Sequence, residues 1–451
     1  MAFFQKPVRV LLLFPGAVVL LAAILVSAAR YDAHRNRRAW EKHRAAAVAR
    51  GVEYDFTRFA PAPVPDGENF AATPFFRELF AADEATQKKI TKRLKLHPAD
   101  EAATLPSDRL KAVRPHDALL DEISRAAERP AAVFPLRYDR LGAVSLPHAL
   151  PLMRLAKLYR LRGKAFLEAG LPDKAFADLQ TLFRLTRHSG NRDPILIMRL
   201  VQATLFSFTM DVYREGLGSR QWSDRDLLQI QAELQSFDFL STGQQAYQAE
   251  RAAYISQVEL LIHAPPEAKI KAPDFYKIYH DVSGDLPVGE WLYSSLFQAD
   301  RFFEASLQTL LNPAAGRVDA EQAERIRQAW ESFSRKPEAS RLFILLGFRS
   351  LLGTTARFAH SQTLADLGTV AAALERYHRQ HDGYPATLSA LIPSHLEKLP
   401  HDLVTGGPLH YCRTDDGRFL LYSVGWNGTD EGGTSAKDKT EGDWVWPLLN
   451  E

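Results

Sequence analysis

PLMRLAKLYRLRGKAFLEAGLPDKAFADLQTLFRLTRH, residues 151–188, sets the character of the chain. Leu152, Leu155, Ala156, Tyr159, Phe166 and Leu167 recur at three- and four-residue steps, the spacing that lines one face of a helix with about 3.6 residues per turn. Gly170 then supplies a C-cap, because a residue without a side chain takes the left-handed conformation at a helix end at little cost. Pro172 opens a second helix at a position where its missing N–H would have had no partner. The stretch predicts a helical hairpin.

Within it, Tyr159, Gly163, Phe166, Gly170 and Ala175 match the large, small, aromatic, turn and small positions of the tetratricopeptide unit of about 34 residues. Leu182 and Arg187 depart from that pattern, and no neighbouring stretch repeats the period. A solenoid needs at least about three stacked units to bury its faces, so a single TPR-like hairpin inside a larger helical bundle is expected.

Outward from the hairpin, further helices are predicted over Ile195–Glu215, after Ser223 as N-cap to Leu227, Leu228, Ile230 and Leu234, and over Thr242–Leu261. Glu250 and Arg251 interrupt the apolar pattern of the last of these and either pair inside the body or form a solvated face. Ala264–Pro287, with prolines at 265, 266, 273 and 287 around Phe275, Tyr276 and Tyr279, reads as a long irregular connection. Residues 70–353 are therefore expected to form an all-α body. Ahead of it, prolines at 61, 63 and 65 make residues 60–69 a non-helical tether, and residues 30–59 a neck helix and its connection.

Residues 10–29, VLLLFPGAVVLLAAILVSAA, carry no charge over about 20 positions, enough for a helix rising ~1.5 Å per residue to cross a hydrocarbon core of roughly 30 Å. They are expected to be a single transmembrane helix following a nine-residue flank, residues 1–9. The stretch exceeds the usual apolar core of a cleaved signal peptide, about 7–15 residues, which favours an anchor. Arg30, Arg35, Arg37 and Arg38 outweigh Lys6 and Arg9, a bias toward a cytoplasmic C-terminus, but long downstream domains translocate largely regardless of charge.

The 451 residues balance 56 Lys and Arg against 54 Asp and Glu, a net charge of +2 without basic blocks, which argues against nucleic-acid partners. One cysteine, Cys412, excludes an internal disulfide and any multi-cysteine zinc site within the chain. The GxSxG, HExxH, Walker A and GxGxxG patterns are absent, so no catalytic residue and no organic cofactor site is expected. His378 and His381, beside Asp382, are placed on a polar helix side rather than at a metal, and Trp426, Trp444 and Trp446 are expected to fill a thin core.

From Asp366 the pattern changes, and residues 354–451 are read as a small α+β module. A helix bearing Leu367, Val370, Ala371, Leu374 and Tyr377 ends near Asp382 and Gly383, and a short helix spans Leu388–Ile392. Strands Leu409–Arg413 and Phe419–Val424, joined through Asp416-Gly417, and a third run Trp444–Trp446 predict an antiparallel sheet. Leu374, Glu375, Arg376, Tyr377, Asp382, Gly383, Tyr384 and Pro385, then Leu388 and Leu391, then Leu399, Pro400, Asp402, Gly407, Pro408 and Tyr411, then Leu421, Tyr422, Ser423, Val424, Gly425, Asn427 and Gly428, closing on Asp443 and Val445, come in order and spacing. This set, over residues 366–446, resembles the globular head of the major (G-type) pseudopilin of type II secretion systems. Val64, Pro65, Asp66, Asn69, Phe70, Ala71, Thr73 and Pro74, taken with this tail, also look like bacterial membrane-anchored proteins that carry both blocks.

The resemblance implies a bacterial inner-membrane protein with a periplasmic C-terminal domain and, in the family's final loop, a calcium site. Asn427, Asp430 and Asp443 are the candidate ligands here, with Asn427 standing where the family has aspartate. The chain departs from a true pseudopilin in lacking the N-terminal peptidase site and the early glutamate of the apolar helix, so a borrowed head rather than a pilin is implied. The expected function is a non-catalytic, membrane-anchored envelope protein binding the bilayer and other envelope proteins. A hydrolase-like site in the helical body and a calcium-stiffened adhesive module are the alternatives.

Overall fold

The computed structural model describes residues 27, 30–32, 34–101, 103–139, 144–190, 192–263, 292–304, 310–334 and 339–446. Of the expected span, only Ser27 is among them, and the Ala264–Pro287 connection lies outside them. Among the described residues no helix is long and apolar enough to cross a membrane.

The described chain is mainly helical, with a small antiparallel sheet near its C-terminal end. Helix α1 spans 34–49. It is followed by α2 (Pro74–Ala81), α3 (Glu84–Arg93), α4 (Pro98–Glu101), α5 (Pro106–Val113) and α6 (Asp117–Ala126). The long helices are α7 (Ala149–Glu168), α8 (Pro172–His188), α9 (Leu196–Gly218), α10 (Asp224–Gln235) and α11 (Phe239–His263). After α12 (Leu292–Phe302), strands β1 (Leu311–Asn312) and β2 (Arg317–Val318) pair, and α13 (Ala320–Ser334) and α14 (Ala339–His381) follow.

The quoted stretch is the antiparallel pair α7–α8, packed with α9 into a three-helix bundle. Gly163 marks the close approach, since a Cβ there would lie 3.2 Å from Val212 Cγ1. Gly170 turns the chain at φ +69°. Tyr159 is buried and donates its hydroxyl to the Leu120 carbonyl. Arg162 clamps the buried Asp178 with two bonds of 3.0 and 2.7 Å, tying the hairpin across its own turn. Ser223 caps α10 in a reciprocal box with Asp226, satisfying two N–H groups that a helix start would otherwise leave free.

The neck is not a free-standing spacer. Trp40 and Ala47 of α1 are buried, and Arg44 and Arg50 pair with Glu259 and Glu304 at 3.1 and 2.5 Å, while Arg35, Arg37 and Arg38 stay exposed. Beneath that seam Asp300 of α12 is fully buried and accepts from Arg251 Nε and Nη2 at 2.5 and 2.6 Å, and from the Tyr54 hydroxyl at 2.7 Å. His43 Nε2 lies 2.7 Å from the same carboxylate. Arg251 thus pairs within the body, with a residue of another helix rather than with its neighbour Glu250.

Residues 60–65 form no helix, as the prolines require, but the segment that follows is docked rather than loose. Asn69 exchanges two hydrogen bonds with the Val133 backbone, 3.0 and 2.8 Å, and Phe70 stacks on His188 with ring centroids 4.8 Å apart.

Helix α14 runs unbroken through the boundary expected at 353/354. It packs against α9, α10 and α11 and continues into the C-terminal module, so body and module share one apolar core. Gly368 lets this happen: a Cβ there would come within 2.9 Å of Met210 Cε and 3.0 Å of Leu234 Cδ1. The helix stops where Asp382, not Gly383, takes the left-handed turn at φ +54°. A 3-10 turn at Leu388–Leu391 and strands β3 (His410–Arg413), β4 (Phe419–Ser423) and β5 (Trp444–Val445) follow in the order β3-β4-β5, antiparallel throughout. Gly417, φ +74°, closes the predicted turn between β3 and β4.

Two consequences are measurable. Asp300→Asn would leave the Arg251 charge buried against a neutral partner and should lower unfolding free energy by about 3–5 kcal/mol in urea titrations. The double change Arg251→Met with Asp300→Leu should recover much of that loss, because it removes both charges together.

His148 is fully buried, stacks on Phe134 at 3.9 Å, and neither ring nitrogen has a partner. Burial pushes its pKa down to about 3. Below pH 6.5 the unfolded chain takes up a proton that this site refuses, so its contribution to stability shrinks as pH falls from 6.5 toward 3. Glu250 and Asp366, whose pKa values burial raises to about 7, act in the opposite sense, so the informative readout is a variant comparison. His148→Leu should gain about 2 kcal/mol relative to the parent between pH 7 and pH 5.

Candidate functional site

The C-terminal module is fixed to the body through Trp446 and braced internally by the carboxylate of Asp402. Trp444 and Trp446 are buried. The Trp446 ring packs between Tyr213 of α9, 5.4 Å away, and Gly368 of α14, and its backbone amide donates to the Leu421 carbonyl at 2.8 Å. Asp402, buried, accepts from the amides of Val404 and Thr405 at 2.9 Å each and of Val424 at 3.1 Å, pinning the 402–406 turn to the end of β4.

That turn also holds the β1–β2 hairpin, which the sequence pattern did not disclose. Val318 N–H bonds the Leu403 carbonyl at 2.9 Å, and Arg317 Nη2 donates to the Val404 carbonyl at 3.0 Å. His401 Nε2 lies 3.1 Å from the Gly316 carbonyl. Gly406, φ +75°, lies so close to the Arg317 guanidinium that a Cβ would meet it at 2.8 Å.

Between this hairpin, α13, residues 353–356 of α14 and the loops at 404–405, 426–428 and 440–441 opens a cleft of about 2000 Å³. Its walls carry Asp319, Glu321, Glu324, Glu331 and Glu441 as well as Arg317, Arg325 and Arg327, with Trp426 and Asn427 on the module side. The α13 charges are mutually paired: Arg325 with Glu321 at 3.3 Å, and Arg327 with Glu324 at 2.6 Å and with Glu331. Pairs this exposed contribute little to stability, so the face can exchange them for a partner's charges at small cost.

The expected calcium ligands are each engaged by the protein itself. Asp443, buried, accepts from the amides of Gly433 at 2.7 Å and of Glu431 and Thr434 at 3.2 Å, an arrangement of converging N–H donors. Asp430 accepts from the Gly432 amide at 2.9 Å and the Tyr422 hydroxyl at 3.0 Å, and lies 3.4 Å from His410 Nδ1. The Gly432 amide, with the Tyr422 hydroxyl, holds its pKa below the ordinary aspartate value. Asn427 spans the Thr429 amide, 3.0 Å, and Glu431 Oε1, 2.7 Å, and lies at the cleft edge. Among the described residues no group of three or more His, Cys, Asp or Glu is placed to hold a metal ion.

The C-terminal histidines are used in packing: His381 stacks on Tyr377 at 3.9 Å and His378 lies over Tyr384 at 4.6 Å. Cys412 is exposed on β3. Glu250 and Asp366, the half-buried acids of the helical body, are not among the residues that line the cleft. The Asp300 cluster, unforeseen because its members lie on four separate segments, joins a histidine to a carboxylate, but Arg251 and Tyr54 occupy the remaining acceptor positions.

The self-satisfied loop predicts a calcium-independent role for its carboxylate. Asp443→Ala should free three amides and cost the module about 2–3 kcal/mol. Melting of the parent should be the same in millimolar calcium and in chelator, and a calcium-dependent rise abolished by Asp443→Ala would reverse that expectation. Comparison with known proteins gives no matching family model, no matching curated relative and no matching solved structure.

Proposed function

We propose that the chain is a non-catalytic, membrane-anchored cell-envelope protein whose cleft between helical body and C-terminal module docks another envelope protein. The observation that carries it is the size and chemistry of the cleft. Small-molecule sites usually enclose about 300–1000 Å³ lined mainly by apolar side chains. A cleft of about 2000 Å³, with acidic and basic residues interspersed on α13 and a tryptophan opposite, fits an extended polypeptide better. The helix-plus-sheet form of the module supports its pseudopilin-like reading, and with it a place beside a secretion machine. Residues 10–29 would anchor the chain in the bacterial inner membrane with the cleft on the periplasmic side.

The test is site-specific photocrosslinking in intact cells from Asn427 and Glu441, with Leu228, exposed outside the cleft, as the control. A discrete adduct with an envelope protein from the cleft positions alone is the expected result, together with activity of an extracytoplasmic reporter fused to Glu451. Equal labelling at Leu228, or a reporter active only in the cytoplasm, would overturn the proposal.

A further inference from the structure

A second locus lies where α9, α14 and the loop before β5 meet. The Arg214 guanidinium of α9 sits over the Trp446 ring, 5.2 Å from its centroid. His360 of α14 meets the Trp444 ring edge-on at 5.3 Å, and Trp444 Nε1 donates to the Lys439 carbonyl at 3.0 Å. The two tryptophans, two positions apart, therefore bring the Arg214 and His360 side chains to one seam beside the backbone of Lys439, whose ammonium acts on His360.

The charge at that seam is not balanced. Asp211, one turn before Arg214, is the carboxylate acting on Arg214, and it is already paired with Arg160 at 2.9 Å. Arg214 Nε is inaccessible to solvent and has no hydrogen-bond partner. A buried N–H of a cation without an acceptor is costly, on the order of 1–3 kcal/mol, and is uncommon in a settled core. Burial first, and then the neighbouring cations, push His360 down to about 3 and lower Lys439. Arg214 is lowered by burial. Lys439 itself is exposed, so the locus opens to solvent on one side.

We propose that Arg214, Lys439 and His360 form a binding site for a compact oxyanion, the phosphate or carboxylate group of a small molecule, at the solvent edge of the seam that Trp444 and Trp446 close from within. The planar guanidinium offers donors in a fixed fork that suits such groups, and Lys439 adds a point charge from the open side. This site is independent of the cleft and of the partner proposed for it.

The experiment is thermal unfolding of the full chain at pH 7 in inorganic phosphate, in acetate and in chloride at equal ionic strength. Phosphate or acetate should raise the midpoint by about 2 °C or more over chloride, and the better of the two identifies the preferred group. Lys439→Ala should abolish that rise while leaving the midpoint in chloride unchanged or higher, since it removes a cation that nothing compensates. Arg214→Gln should also abolish it, and if that variant does not fold, Lys439→Ala decides alone. Equal midpoints in the three salts, or a rise that survives Lys439→Ala, would overturn the proposal.

Discussion

The fully buried carboxylate of Asp300 is what the N-terminal half of the architecture turns on. A lone carboxylate in an apolar interior is prohibitively unfavourable, so its position demands the Arg251 fork, the Tyr54 hydroxyl and the His43 ring. These partners come from α1, from the turn after it and from α11, and satisfying one charge therefore fixes where three segments lie. The neck helix is held by chemistry rather than by its own apolar face alone, although Trp40 and Ala47 add that too.

What could be read from residues alone was what depends on local periodicity and turn chemistry. The α7–α8 hairpin, the Ser223 cap, the Asp416-Gly417 turn and the antiparallel strands are all set within a few residues of themselves, and the structure has them within one to three positions of expectation. What stayed hidden is long-range. Nothing near Arg251 in sequence announces Asp300, and the two-residue strands β1 and β2 are too short to impose alternation. Gly353 and the change of pattern suggested a boundary, yet one helix runs from Ala339 to His381 and packs against α9, α10 and α11, so tertiary contact overrides the local signal.

The candidate site divides the same way. Asn427, Asp430 and Asp443 are oxygen ligands in sequence, and three-dimensional proximity also gives Asp443 three backbone amides. A carboxylate count cannot distinguish a cation cage from a loop that closes on its own N–H groups. The cleft was invisible for another reason: its walls are drawn from a hairpin, two helices and three loops between residues 312 and 441, each unremarkable as a polar surface. Only their assembly around the 402–406 turn makes a concavity.

The unbroken α14 has a consequence for how such a chain can be dissected or have arisen. A unit that looks transferable in sequence here shares its helix, its Gly368 contact and its Trp446 socket with the body. A fragment beginning at residue 354 would start in mid-helix and bare to water the surfaces now facing Met210, Tyr213 and Leu234. The module is thus grafted, not hung. Displacing it means displacing a single helix of 43 residues that is also packed into the helical body.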